Sequence, residues 1–212
     1  MIRASLSRYI AYVLMVCLAG LPAAASEASE LGFVPDPLGD TTAILSGSTW
    51  IGTGPDFTLR LQRIDEDERR AFIEKVTGSA TDPFASPPGQ RPGFVTFVMQ
   101  LENQGAGSLV FRSQQAWLVT NKTEYLKPIN MEGLNARYGL LGAETTPAYD
   151  TSFGAVVPPT ANLVAGQTLV GLLVYRAFKP KTKRYRLDIQ LITGSGDAVM
   201  ITLPYQREKK KN

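Results

Sequence analysis

The sequence predicts a mainly β protein, an antiparallel β-sandwich with a short helix and a long irregular insert. Three observations predict this fold: at least six short segments have strand patterning, turn residues separate them, and very little of the chain has helical periodicity. A parallel architecture would need a helix after nearly every strand, and the sequence offers no such alternation.

Residues 1–25 are predicted to be a cleaved signal peptide. Arg3 and Arg8 precede an apolar run that ends at a proline, and Ala23 and Ala25 have the small side chains that a signal peptidase requires. The run is shorter than the roughly 20 apolar residues of a membrane-spanning helix. We therefore expect cleavage after Ala25 and a periplasmic or secreted mature chain.

An alternative interpretation makes Cys17 the lipid-modified first residue of a lipoprotein, because Leu14 lies three positions ahead of it. Val16 argues against lipidation, since that peptidase site requires a small residue directly before the cysteine. Cys17 is the chain's only cysteine and the chain has no histidine. A chain cleaved after Ala25 would therefore form no disulfide, and the usual His- and Cys-dependent catalytic and metal sites are excluded.

The positive charge of the chain lies mainly at its ends. Residues 26–206 carry 16 basic and 18 acidic side chains, so the formal charge of +3 comes from the leader and from a basic tail at 207–212. This distribution predicts no nucleic-acid partner. We expect the tail to be a solvated, disordered end; the alternative is peripheral contact with anionic lipid headgroups through Lys209, Lys210 and Lys211.

A second basic cluster occupies residues 176–186 and is interrupted by Pro180. The pattern is typical of a hairpin loop leading into a strand, where lysines at a sheet edge discourage aggregation. The alternative is a binding site for an acidic partner.

The chain divides into a lead segment at 26–47 and a single β-sandwich domain at 48–206. We expect the lead segment to lie over the domain, because isolated hydrophobic residues alternate with Ser, Gly, Pro and Asp there. Within the domain, a Pro-rich loop covers residues 77–93 and the insert covers 121–163.

The first predicted elements are a strand and a helix. Alternating apolar and polar residues over 57–62 predict a strand with one buried face. Asp65 is then a helix N-cap and Gly78 the stop, because acids come early and bases late between them. The acidic run from Asp65 lacks the glycine and distal glutamate of a calcium loop, which favours the helix start.

The remaining strands follow the loop. In residues 94–101, Val95, Phe97, Met99 and Leu101 are expected on one face. Further strands are predicted at 109–111, 116–120, 168–175, 185–191 and 198–205. Met99 and Met200 are expected to face the core. Within the insert, only one short helix is predicted, at 131–138.

The C-terminal half resembles the Ig-like β-sandwiches of bacterial secreted proteins and lipoproteins of unknown function. Four segments carry the resemblance: residues 95–103, the strand around Trp117, Gly166-Gln167-Thr168 leading into 169–175, and residues 185–191. The chain departs from that pattern in its long insert and its missing lipobox. The resemblance implies a domain that binds, spaces or scaffolds, and no catalytic residue can be carried over from it.

The predicted function is therefore that of a non-catalytic exported binding or scaffold module that contacts another envelope or extracellular protein. The candidate partner-binding residues are the aromatics of the insert: Tyr125, Tyr138, Tyr149 and Phe153. A structural role is the competing interpretation, in which these rings pack the insert against the sheet.

The alternative function is a small-ligand receptor or a carboxylate-dependent enzyme with its site in the insert. The available carboxylates have no paired spacing: Asp56, Glu102, Glu124, Glu132, Glu144 and Asp150. No catalytic residue, metal ligand or cofactor site is predicted.

Overall fold

The computed structural model describes residues 33–39, 41–86, 91–140, 147–179 and 181–208, with backbone alone for 137–140 and 147–148. The predicted signal peptide with Cys17 and Ala25, as well as Glu144 and the tail lysines Lys209, Lys210 and Lys211, lie outside the described residues.

Eleven strands and three helices are present in the described residues. The strands are β1 (Phe33–Pro35), β2 (Ile44–Ser46), β3 (Thr49–Thr53), β4 (Phe57–Ile64), β5 (Phe94–Asn103), β6 (Leu109–Thr120), β7 (Tyr125–Leu126), β8 (Thr160–Leu163), β9 (Thr168–Arg176), β10 (Arg184–Ile192) and β11 (Ala198–Arg207). The helices are α1 (Glu66–Thr77), α2 (Met131–Leu140) and α3 (Pro147–Phe153).

The strands form two antiparallel sheets that pack together, which confirms the predicted sandwich. One sheet has the order β1-β11-β10-β6-β7, with β8 also pairing with β6, and the other has the order β2-β3-β4-β5-β9. The alternating residues predicted for β5 line the space between the sheets: Val95, Phe97, Met99 and Leu101 are all buried in the main core. There they meet the inward-facing residues of β6, β10 and β11.

A second hydrophobic cluster covers the outer face of the five-stranded sheet. Val98 of β5 and Leu172 and Val174 of β9 pack there with Ile73 of α1 and Leu134 of α2. Both faces of β5 are therefore buried, which explains its nearly continuous burial. No strand of the six-stranded sheet contributes to this second cluster.

Helix α1 forms as the sequence predicts. The Asp65 carboxylate accepts a hydrogen bond from the Glu68 backbone N–H at 2.9 Å, and the Glu68 side chain accepts one from the Asp65 N–H at 2.9 Å. This capping box satisfies two backbone donors that the helix leaves free. Gly78 ends the helix in the left-handed conformation, with φ of 72°.

The described part of the lead segment, from residue 33 on, pairs with the sheets, whereas the sequence predicted that it lies over the domain. β1 pairs with β11 and β2 pairs with β3, so this segment adds an edge strand to each sheet. β3, which contains the buried Trp50, was not predicted. Arg207, assigned to the tail, pairs with Phe33 at the end of β11.

The expectation that Met200 faces the core is wrong, because its side chain is 49% exposed. The inward positions of β11 are Ile201, Leu203 and Tyr205, which have the opposite parity. Since alternate side chains of a strand point to opposite faces, this places Met200 on the outer face of the sheet.

The insert crosses from one sheet to the other and back. β7 pairs with β6, and the Ile129 N–H then donates to Val174 O of β9 at 2.7 Å. After α2 and α3, the Val157 N–H bonds Leu172 O at 3.0 Å, and β8 returns to β6. The insert thus covers the free edge of β9, which protects that edge from pairing with other chains.

The predicted helix at 131–138 is confirmed as α2, whereas α3 was not predicted. None of the described helices is long and apolar enough to cross a membrane.

Candidate functional site

The structure places the four predicted partner-binding residues in different surroundings. Tyr125 lies on β7 of the six-stranded sheet and is 62% exposed. Phe153 packs against Phe84 in the second hydrophobic cluster, with ring centroids 5.9 Å apart. Tyr149 is partly buried in α3, and the side chain of Tyr138 in α2 lies outside the described part of the structure. Tyr125 and Phe153 therefore do not share a surface.

Tyr125 extends an aromatic patch on the outer face of the six-stranded sheet. We define this patch as Trp117, Val119 and Tyr125. Val119 lies directly opposite Tyr125 across the β6–β7 pair, and Trp117 is two residues from Val119 on the same face of β6. The Nζ atom of Lys127 lies 4.6 Å from the centroid of the Trp117 ring. This cation–π contact, of about 0.5–1 kcal/mol at an exposed site, holds a positive charge over the patch.

Arg186 of β10 borders the aromatic patch, because it pairs with Val119 across β6 and β10. Its Nε donates to Asp188 Oδ2 at 2.8 Å, and Thr202 Oγ1 donates to Asp188 Oδ1 at 2.9 Å. The Arg186 side chain is 55% exposed and forms an ion pair with Asp188. The patch therefore combines two aromatic rings with one aliphatic side chain, and Lys127 and Arg186 lie at its border; Tyr, Trp and Arg are enriched in protein interfaces.

Next to the patch, the sandwich has an end rich in basic residues. We define this basic end by its exposed side chains: Lys122, Lys179, Lys181, Lys183, Arg184 and Arg207. They come from the β6–β7 turn, the β9–β10 loop and the end of β11.

Backbone contacts join these three segments into one surface. Asn121 Oδ1 accepts hydrogen bonds from the N–H groups of Lys183 at 3.0 Å and Arg184 at 3.3 Å. The Arg207 N–H donates to Lys183 O at 2.8 Å. Lys179 Nζ lies 3.6 Å from Glu124 Oε1. The predicted hairpin loop is thus present, and its lysines lie beside basic residues from two other segments.

A buried ion pair lies on the far side of the molecule, beneath α1. Arg69 Nε donates to Asp82 Oδ2 at 2.9 Å, Nη2 donates to Phe84 O at 3.0 Å, and Nη1 donates to Thr96 Oγ1 at 3.2 Å. Only 3% of the Arg69 side chain is exposed. The pair therefore attaches the Pro-rich loop to α1 and β5.

Three buried tyrosines lie between the sheets. Burial raises the pKa values of Tyr175, Tyr185 and Tyr205 above the ordinary value of 10.0. For Tyr205 the neighbouring Tyr185 raises the pKa further, whereas Arg63 and Trp50 lower it. The Tyr175 hydroxyl donates to Ala116 O at 3.1 Å. These hydroxyls are inaccessible and pack the core.

Sequence reasoning missed the roles of Trp117, Lys127 and Arg186 in the surface. The alternation along β6 could have shown that Trp117 and Val119 face outward, because they alternate with the core residues Ala116 and Leu118. Within the described residues, no group of three or more acidic side chains is arranged to hold a metal ion.

No protein-family model and no curated protein matches the chain. Parts of several solved bacterial structures are similar to it. A functionally unknown protein from Listeria monocytogenes EGD-e has 12% identity and a TM-score of 0.41, with 88% of this chain and 96% of that one covered. The yjhA protein of Bacillus subtilis has 12% identity, a TM-score of 0.35, and coverage of 76% and 94%.

The secreted protein MPT63 of Mycobacterium tuberculosis has 14% identity and a TM-score of 0.30, with coverage of 71% and 85%. These similarities assign no family. The β-sandwich is established by the strand pairing of this chain itself.

Proposed function

We propose that the chain is an exported, non-catalytic binding module that contacts another envelope or extracellular protein through the aromatic patch. Export is supported by the leader pattern of residues 1–25. Within this proposal the sandwich is of the Ig-like class, which two antiparallel sheets packed over a shared aromatic core support. The partner-binding residues are Tyr125, Trp117 and Lys127, and Phe153 serves the packing of the insert.

The single observation that carries the proposal is the exposure of Tyr125 on the outer face of the six-stranded sheet. The five-stranded sheet has its outer face covered by the second hydrophobic cluster, and the six-stranded sheet contributes no strand to that cluster. Tyr125 is 62% exposed there. Large rings that lose little conformational entropy on binding are frequent interface hot spots. The positive charge of Lys127 favours a partner with carboxylates around an apolar contact.

Site-specific photo-cross-linking tests this surface in the intact organism's envelope. A photoreactive phenylalanine analogue at position 125 is compared with the same residue at position 164. Val164 is a suitable control because it is 54% exposed and follows β8, which pairs with the opposite end of β6. We expect one discrete protein adduct from position 125 and none of that size from position 164. Identical adducts from both positions, or none from either, would contradict the proposal.

A second comparison measures the contribution of the ring. We expect Tyr125→Ala to reduce capture of the cross-linked protein by about thirtyfold, since truncating a hot-spot residue costs at least about 2 kcal/mol and truncating a rim contact costs much less. The exposed position predicts an unchanged melting temperature. Undiminished capture by the folded variant would exclude Tyr125 as an anchor.

A further inference from the structure

We propose that the basic end is a second contact surface, which lies against anionic lipid headgroups. The inference is independent of the aromatic patch, since it concerns the end of the sandwich rather than its face. The basic end carries six exposed cations on three chain segments, and hydrogen bonds of the backbone and of the Asn121 side chain hold these segments together.

The charges of the basic end are only partly neutralised within the described structure. Glu124 lies 3.6 Å from Lys179, and its side chain is 15% exposed. The other described ion pairs involve Arg69, Arg70 and Arg186, which are not members of the basic end. Exposed like charges this close together repel one another, so an anionic surface that approaches them is bound favourably.

The loop that carries the lysines is shaped by local contacts. Thr182 Oγ1 donates to Lys179 O at 2.8 Å and the side chain of Thr182 is buried, so the loop turns tightly. Phe178 packs edge-on against Phe33, with centroids 5.1 Å apart, which anchors the loop to β1. The loop is thus packed at its base while its lysines are exposed, and exposed ammonium groups suit attraction to a layer of anionic headgroups.

The course of the chain favours a membrane as the occupant. Phe33 is the first described residue, and it pairs with Arg207, whose guanidinium carbon lies 5.8 Å from the Phe33 ring centroid. The first described residue and the last residue of β11 therefore both lie at the basic end. In the sequence, three further lysines follow residue 208, namely Lys209, Lys210 and Lys211.

Flotation with lipid vesicles tests the inference on the chain from residue 26 to residue 212. We expect the protein to float with vesicles of phosphatidylglycerol and phosphatidylcholine and not with phosphatidylcholine alone. Binding should disappear at about 0.5–1 M salt, where the screening length falls to about 3–4 Å. Equal flotation with both vesicle types, or none with the anionic vesicles, would overturn the inference.

Two variants of equal net charge locate the surface. K181Q/K183Q removes two charges from the basic end, and K75Q/R112Q removes two exposed charges from α1 and from the other half of β6. Each basic residue near an anionic membrane changes partitioning by about fivefold. We therefore expect a loss of at least tenfold for the first variant and less than threefold for the control. Equal losses would show that net charge, not the basic end, determines binding.

A chain ending at Glu208 measures the contribution of the tail. We expect it to bind anionic vesicles more weakly than the full chain and still more tightly than the same truncation combined with K181Q/K183Q. Binding to an immobilised polyglutamate peptide tests the alternative, an acidic protein partner. Retention on the peptide without vesicle binding would reject the lipid assignment in favour of an acidic protein partner.

Discussion

Removal of the Asp82 carboxylate should destabilise the protein more than any surface substitution. Arg69 and Asp82 have side-chain exposures of 3% and 1%, and their closest atoms are 2.8 Å apart. In Asp82→Ala the Arg69 guanidinium stays buried without its closest carboxylate. Its remaining contacts are Phe84 O, Thr96 Oγ1 and the Glu66 carboxylate at 3.8 Å. Breaking a buried ion pair in this way costs about 3–5 kcal/mol.

The substitution also removes the acceptor of the Phe84 N–H, which bonds Asp82 Oδ1 at 2.9 Å. Asp82→Asn can retain this acceptor while losing the charge, so it should lie between the wild type and Asp82→Ala. Urea unfolding, monitored by tryptophan fluorescence, measures the unfolding free energy of both variants. With a slope of about 2 kcal/mol/M, the midpoint for Asp82→Ala should fall by about 1.5–2.5 M.

The matched control is the exposed pair of the same helix. Arg70 Nη1 lies 3.2 Å from Asp67 Oδ1, with side-chain exposures of 50% and 89%. Because water screens such a pair, Asp67→Ala should cost less than about 1 kcal/mol. A cost for Asp82→Ala no larger than that for Asp67→Ala would refute the assignment of a buried, uncompensated charge.

Three further outcomes are expected. Burial raises the folded-state pKa values of Tyr175, Tyr185 and Tyr205 above 10.0, so the folded protein should keep its stability below about pH 10 and lose it as the pH rises further. Tyrosinate absorbance and far-UV circular dichroism, recorded over the same pH range, check this. Asp65→Ala removes the helix cap and should lower the unfolding free energy by about 1 kcal/mol in urea titration. Gly194→Ala places a Cβ 2.8 Å from the Gly107 Cα, so it should cost about 1–3 kcal/mol, measured by thermal unfolding.

Many strands of the main core could be predicted because apolar residues occupy every second position on the face that meets the opposite sheet. β4, β5 and β10 alternate apolar and polar residues where they meet the opposite sheet, and that period is visible in the sequence alone. β1 and β2 have three residues each and are strands only because β11 and β3 offer partners. No local pattern of three residues can carry that information.

The candidate surface was predictable only in part, for a related reason. Tyr125 and Phe153 both lie among turn residues of the insert, and the sequence makes them equivalent. They differ because residue 125 pairs with β6, whereas α3 packs over β9 and α1. Which ring is exposed is therefore decided by the crossing of the insert between sheets, which is a property of the tertiary fold.

The outer face of the five-stranded sheet is covered by the second hydrophobic cluster, whereas the six-stranded sheet contributes no strand to that cluster. This difference connects the stability of the molecule with its proposed contacts. Helices, the Pro-rich loop and the Arg69–Asp82 pair bury the outer face of the five-stranded sheet. The insert that completes this cover begins at β7, so the same segment that places Leu134 in the second cluster also exposes Tyr125 on the opposite sheet. Tyr125 of the aromatic patch thus belongs to a segment whose remainder packs against the other sheet. Under the proposed function, we therefore expect affinity for the partner to depend on the Tyr125 ring and the adjacent cations rather than on folding of the insert.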